Sequence, residues 1–294
     1  MFYRRKIILA IMQAFKGELD KIRLQKLLFM VSERQQSKAY DFIPYKYGCF
    51  SYSANADLGA MVKKGLLSET ETHFKREDKI DYLHALNDSD RKIVKEVIGT
   101  YGAMSANALM KHTYINFPFW AVNSLKAKSL LNEQEYEKVL NAKNEDNSTT
   151  LFTIGYEGVS PEAYLNKLIK NNVHVLVDVR KNALSMKYGF SKSHLKRFCE
   201  SIGIEYIHLP EVGIQSDKRQ TLVTQKDYDL LFEDYKSTCL PSTQNTQNQI
   251  LNILKEKHRI ALTCFESNIC QCHRKPLSEA ITQLPGFKYE LKHI

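Results

Sequence analysis

The apolar residues change their period once along the chain. In the first half they recur at helical spacing. In DKIRLQKLLFMVSE, Leu24, Leu27, Leu28 and Val31 fall at positions 0, 3, 4 and 7, one stripe of a helix, and Asp20 stands where a cap belongs. ANADLGAMVKKGLL predicts a second helix that stops near Gly65, and LSETETHFKREDKIDYLHAL alternates as a short hairpin would. SDRKIVKEVIGTYG and SANALMKHTYI predict two more helices, each opened by a serine or an aspartate. The start, MFYRRKIILAIMQAF, places basic residues ahead of an apolar run as a signal peptide does. That run is short, is broken by Gln13 and Lys16 and lacks a small-residue cleavage site, so it predicts a first helix instead. Helices with one small hairpin outline a mainly helical, winged-helix-like domain over residues 1–140.

The polar stretch NAKNEDNSTT, residues 141–150, has linker chemistry. Beyond it, over residues 151–294, short apolar runs alternate with helical segments. LFTIG, VHVLVDV, IEYIHLP, RIALTCF and FKYELKHI predict strands. SPEAYLNKLIKNN, with serine at the cap and proline at the first helical position, predicts a helix, as do SKSHLKRFCESIG and PLSEAITQL. Helical segments between 226 and 257 are expected to be broken by the polar PSTQNTQNQ. Strands alternating with helices predict an α/β domain, a Rossmann-like, doubly wound and mostly parallel sheet.

Composition narrows the class. The 294 residues are 43% apolar and 26% charged, as in a globular protein of two ordinary domains. No apolar run approaches a membrane span, so no membrane partner is expected. Six unevenly spread cysteines do not make a disulfide scaffold, which implies a reducing, cytoplasmic setting. Lys and Arg exceed Asp and Glu by 42 to 33, a net charge of +9. That balance suits nucleic acid, and a solvated basic surface accounts for it equally well. Tyr45, Lys46 and Tyr47 in YDFIPYKYGCFSYS are the candidate base-stacking and nucleic-acid-binding residues, with a packed loop as the alternative.

Candidate chemistry gathers at predicted strand ends, where open α/β sheets bind ligands. The first strand ends in Gly155, Tyr156 and Glu157, just before a helix N-terminus. The second ends in Asp178 and Arg180, which share a face and also fit an ordinary structural ion pair. The fourth ends in CFESNICQCHR, with Cys264, Glu266, Cys272, His273 and Arg274. Read for zinc, this segment has the spacing C-x5-C-x-C-H, unlike two separated pairs, and adjacent Cys272 and His273 would have to turn onto one ion. Read for a thiol nucleophile, it lacks the arginine six residues after Cys264 that a cysteine phosphatase loop requires, although Cys272 stands beside His273. The placement at a strand end moves the interest to Glu266, His273 and Arg274, with Cys264 and Cys272 packed behind or beside them and Cys270 expendable. No cofactor is expected, with Mg²⁺ or Zn²⁺ as alternatives.

The pieces TIGYEG, VDVRKNALSMKYGFSKSHL, IEYIHLPEVG and LTCFESNICQCHR resemble domain-of-unknown-function family 488 over nearly all of residues 151–294. The motif positions fall on Gly155, Asp178, Arg180, Ser185, Cys264, Glu266, Cys272, His273 and Arg274. Ala183 replaces the usual proline, so the loop after Arg180 is expected to run differently. The resemblance implies a Rossmann-like fold and a strand-end pocket, without a settled reaction. LQKLLFMV and YKYGCFSYSANADLGAMVKKGLL bear a fainter resemblance to the Panacea-type domain of antitoxin and phage-related proteins, with Cys49 in place of its usual proline. That implies a macromolecular, including protein, partner for the first half.

The reading that follows is a hydrolase acting on an N-glycosidic or related ribosyl linkage of nucleic acid, DNA more than RNA, or of a nucleotide, in a phage-defence setting. Asp178, Glu266 and His273 are its catalytic candidates. Arg180 and Arg274 would clamp phosphate, Tyr156 would stack on a base, and Gly155, Glu157, Ser185, Cys264 and Cys272 complete the substrate rim. The alternatives are a non-catalytic nucleic-acid or partner sensor and a metal-dependent nuclease.

Overall fold

The computed structural model describes residues 1–215 and 222–294. They form two compact units, Met1–Lys143 and Asn144–Ile294.

The first unit runs α1 (Tyr3–Gln13), β1 (Glu18–Asp20), α2 (Lys21–Arg34), β2 (Ile43–Tyr45), β3 (Gly48–Phe50), α3 (Tyr52–Lys63), β4 (Leu67–Glu69), β5 (His73–Arg76), α4 (Asp88–Tyr101), α5 (Ala106–Asn116), α6 (Ala127–Leu130) and α7 (Glu133–Asn141). Asp20 and Ser105 cap their helices as expected, whereas Ser51 caps α3 and Asn87, rather than Ser89 or Asp90, caps α4; each accepts from the backbone N–H three residues on. α1 buries Ile7 through Met12 and α2 buries Leu24 through Ser32, so both helices are wrapped on nearly all sides. β1, β5 and β4 pair antiparallel in that order. Helix, strand, two helices and a closing hairpin whose second strand returns to β1 make the winged-helix-like outline. The β2–β3 hairpin is an insertion between α2 and α3.

Asp57 on α3 ties the start of the chain to this core. Its carboxylate accepts from Arg4 Nε (2.6 Å), Arg5 Nε (2.7 Å) and Tyr40 Oη (2.9 Å). Burial alone would raise its pKa, but the three donors outweigh burial and hold it below the ordinary carboxylate value.

The second unit runs β6 (Thr150–Gly155), α8 (Pro161–Lys170), β7 (Val175–Asp178), α9 (Lys192–Ser201), β8 (Glu205–His208), α10 (Gln225–Asp234), α11 (Leu240–Ser242), α12 (Gln244–Lys257), β9 (Arg259–Cys264), α13 (Arg274–Thr282) and β10 (Glu290–His293). The sheet order is β10-β6-β9-β7-β8 and every pairing is parallel. Both faces are covered. Leu151, Val175, Val177, Ile260 and Leu262 pack with Leu251 and Leu254 of α12 and Leu277 and Ile281 of α13. On the other face Tyr164 of α8 donates to Thr263 Oγ1 (2.8 Å) and meets Phe190 edge to face. The polar PSTQNTQNQ breaks the helices as expected, but only at Thr243, between α11 and α12. Its glutamines and asparagines open α12, where Gln247 is buried and donates to Leu240 O (2.6 Å), so α12 starts almost where α11 stops.

Register decides where the chemistry falls. β9 lies between β6 and β7, pairing Gly155 with Cys264 and Asp178 with Thr263. The chain thus passes over one strand position between β6 and β7, and a topological switch of this kind opens a crevice beyond the carboxyl ends.

The Asp57 cluster predicts a pH dependence. A carboxyl depressed in the folded state contributes stability above its unfolded pKa and loses it as pH falls through the folded one. Asp57→Asn is expected to lower the stability of the first unit by about 3 kcal/mol at neutral pH. The difference from wild type should shrink below about pH 4 as Asp57 protonates. Denaturant titrations of both proteins at neutral and acid pH read it, and a difference that does not change with pH contradicts the assignment.

Candidate functional site

The ends of β6, β9 and β7 stand side by side, and the loop after β9 is clamped over the first of them. Tyr156 N and Glu157 N donate to Phe265 O (3.1 and 2.9 Å), and Arg274 Nη2 donates to Glu266 O (2.6 Å). This approach requires Gly155: a Cβ there would lie 2.0 Å from Glu266 O. Gly213, in the segment after β8, has the same part beside the loop that follows Arg180, since its Cβ would fall 2.2 Å from Lys181 N.

Asp178 is fully buried at the end of β7 and is held by Arg180 through a forked pair, Nε to Oδ1 (2.8 Å) and Nη2 to Oδ2 (2.5 Å). Arg180 N also donates to Oδ1 (3.1 Å) and Tyr206 Oη to Oδ2 (2.5 Å), so each carboxylate oxygen accepts two hydrogen bonds. Arg180 spends its remaining reach on Tyr156 Oη (2.6 Å) and Phe190 O (2.9 Å). Burial opposes the charged guanidinium, but the bonded and charged Asp178 outweighs it and raises the Arg180 pKa. The Tyr206 hydroxyl is pushed up by burial and by the same carboxylate. Asp178, expected as an acid–base group, therefore faces the protein's own donors, and Arg180, expected as a phosphate clamp, has four N–H groups committed. Tyr156, expected to stack on a base, is stacked instead on Phe190 at 4.3 Å and meets Phe265 edge to face.

The segment after β9 turns its soft donors together. Cys264 Sγ lies 3.6 Å and Cys272 Sγ 4.0 Å from His273 Nδ1, and all three residues are buried. The adjacent Cys272 and His273 do turn onto one point, which the spacing did not predict. His273 Nε2 stands 3.1 Å from Val179 O. Cys264 Sγ donates to Glu266 Oε2 (3.2 Å). Arg274, 1% exposed, donates from Nε to Cys272 Sγ (3.1 Å) as well as to Glu266 O, so its guanidinium also serves the protein interior. Burial first, then the neighbouring Cys264, raises the Cys272 thiol well above its ordinary pKa despite Arg274, which is the reverse of an activated nucleophile. Cys270 is exposed and outside this cluster.

A cavity of about 490 Å³ opens over these strand ends. Tyr156, Glu157, Arg180, Ser185, Cys264, Glu266 and His273 line it, while Gly155, Asp178, Cys272 and Arg274 are not among its lining residues. Glu157 Oε2 accepts from Ser267 N (3.0 Å) at the rim. The sequence reading missed Lys181, Tyr228 and Phe265, which also line it, and the exposed apolar Leu184 and Met186. The signal for the last two was present, since apolar residues in the polar KNALSMKYG loop have no core to reach. Tyr45, Lys46 and Tyr47 lie in the first unit. Tyr45 packs on Phe50 and Tyr52, whereas Lys46 and Tyr47 are exposed at the turn of the β2–β3 hairpin.

Residues 160–281 match the family described as Domain of unknown function DUF488. The matched span runs from just before α8 into α13 and includes Asp178, Arg180, Cys264, Glu266, Cys272, His273 and Arg274. No curated protein matches the chain.

The closed Asp178–Arg180 pair predicts a structural cost on its loss. Asp178→Asn should destabilise the second unit by about 3–5 kcal/mol, because it leaves Arg180 buried and unpaired. Tyr206→Phe should cost about 1.5–3 kcal/mol, one hydrogen bond to a charged group. Chemical denaturation measures both, and a Tyr206→Phe protein as stable as wild type would show that the carboxylate is not anchored in this way.

Proposed function

We propose that the second unit is a hydrolase that cleaves an N-glycosidic or related ribosyl linkage of nucleic acid or a nucleotide, in the cavity over its strand ends. One observation carries the reading: the carboxylate residue Glu266 lines that cavity beside the aromatic walls Phe265 and Tyr228, at the switch point of a parallel sheet. Oxocarbenium-like sugar cations are stabilised by carboxylates, and a carboxyl at the same place assists the leaving base or activates water. Glu266 takes that part, with Glu157, just past the end of the neighbouring strand β6, as the second carboxylate.

The placement of the other residues redistributes their roles. Asp178, Arg180 and Arg274 hold the rim rather than touch substrate. Lys181, exposed at the cavity edge, takes the phosphate contact. Phe265 and Tyr228, not Tyr156, offer ring surface to a base. The first unit supplies polymer binding, DNA in preference to RNA. It has the winged-helix-like outline, and it holds 23 Lys and Arg against 16 Asp and Glu, most of the chain's excess charge. A protein partner for that unit and a phage-defence setting follow from its resemblance to antitoxin-type domains.

A sensor that binds the same ligand without chemistry is the second reading, favoured by the way Asp178 and Arg180 are satisfied internally. The two separate on turnover. Wild-type protein incubated with single-stranded and duplex DNA, RNA and free nucleotides is expected to release free base, detected by liquid chromatography. Glu266→Gln should lower that rate by about 100-fold or more while substrate binding persists. Binding without base release by the wild type would sink the enzyme reading and leave the sensor.

A further inference from the structure

The cluster behind Glu266 has a geometry that packing alone does not require. Cys264 comes from the last residue of β9, and Cys272 and His273 from the turn that enters α13, yet their donor atoms all lie within 4.8 Å of one another. A tetrahedral zinc site, with Zn–S about 2.3 Å and Zn–N about 2.0–2.1 Å, places neighbouring donors about 3.6 Å apart. The two sulfur-to-nitrogen distances here are 3.6 and 4.0 Å.

The histidine is oriented for this. A carbonyl oxygen has no proton to give, so the 3.1 Å contact with Val179 O fixes the proton of a neutral ring on His273 Nε2. The lone pair of Nδ1 then points at the two sulfurs, the arrangement in which a backbone carbonyl behind a histidine sets its tautomer for a metal. Charge points the same way. Arg274 is buried, donates to Cys272 Sγ and a carbonyl, and among the described residues is bonded to no carboxylate. A buried cation beside a neutral thiol is costly, and beside a metal-bound thiolate it is compensated. Two thiolates offset a divalent ion, and the Glu266 carboxylate near Cys264 offsets Arg274.

We propose that Cys264, Cys272 and His273 form a binding site for a divalent cation of the zinc class, with its fourth position beside Glu266. Cys264, His273 and Glu266 all line the strand-end cavity, so that fourth position opens toward it, as in zinc sites that keep one place for water or ligand. Thiolate donors exclude Mg²⁺ and Ca²⁺, which take oxygen ligands. Cys270, exposed and outside this cluster, takes no part.

The test uses the full chain without substrate, so its outcome is separate from that of base release. Protein equilibrated with Zn²⁺ and dialysed into metal-free buffer is expected to retain close to one zinc per chain. Replacement by Co²⁺ should give thiolate-to-cobalt charge-transfer absorption together with the intense visible bands of a four-coordinate ion. Cys270→Ser should leave both unchanged, and Cys272→Ser should weaken zinc by more than about 100-fold. Wild-type protein that retains no zinc and shows no thiolate-to-cobalt absorption overturns the proposal, and so does wild-type protein in which Cys264 and Cys272 are joined as a disulfide. Both of these readouts hold even where the cysteine variant fails to fold.

Discussion

A charged carboxylate at the dry end of β7 constrains everything around it. Asp178 has no contact with water, so the chain must bring four donors to its two oxygens, and Arg180 supplies three of them. Arg180 in turn fixes the Tyr156 hydroxyl at the end of β6 and the Phe190 carbonyl at the far end of the following loop. Its own carbonyl accepts from His208 Nε2 (2.9 Å), and Asp178 O accepts from Leu209 N (2.9 Å), which ties in β8. Between the two charged residues, Val179 O meets His273. Four strand ends are therefore braced through one ion pair. Buried pairs of this kind contribute little net stability and much definition of geometry, because few arrangements satisfy them. Here the geometry defined is that of a cavity wall.

This bracing separates two sets of polar residues. Asp178, Arg180, Cys272 and Arg274 are committed to one another and to backbone groups. Arg180 reaches the cavity wall with four N–H groups already bonded, and Glu157, Lys181, Glu266 and the rings of Phe265 and Tyr228 line the cavity beside it. The division explains how a site can have many ionisable residues at its rim and still present few to a ligand. It also gives the proposed chemistry a rigid frame: Glu266 is held at its backbone by Arg274 and at its carboxylate by Cys264, and Gly155 leaves the space that its carbonyl needs.

Much of this architecture was legible in the sequence because it follows from period and position. The β-branched run VHVLVDV reads as a strand covered on both faces, and strand ends are where such sheets place ligands. What the sequence did not disclose was direction. Asp178 and Arg180 two apart on a strand share a face, but only the fold shows that Tyr206 and Tyr156 close the pair off. Spacing alone sets adjacent Cys272 and His273 against reaching one point, since the spacing rule for zinc assumes residues on a regular element. A 3₁₀ turn at Ile269–Gln271, followed by the entry to α13, turns both inward. PSTQNTQNQ reads as a break and the helix does stop at Thr243, but its polarity hid how short the break is, since buried Gln247 satisfies Leu240 O at the end of the preceding helix.

Water attacking a sugar carbon in the strand-end cavity is the central step of the proposed reaction, and isotope transfer tests it directly. Wild-type protein would be given a DNA oligonucleotide in ¹⁸O-labelled water and the products weighed by mass spectrometry. Unlabelled free base is expected, with the label on the sugar hydroxyl of the abasic product. Label on a phosphate would assign phosphodiester hydrolysis instead, and an intact oligonucleotide carrying no label would contradict the hydrolytic reading altogether.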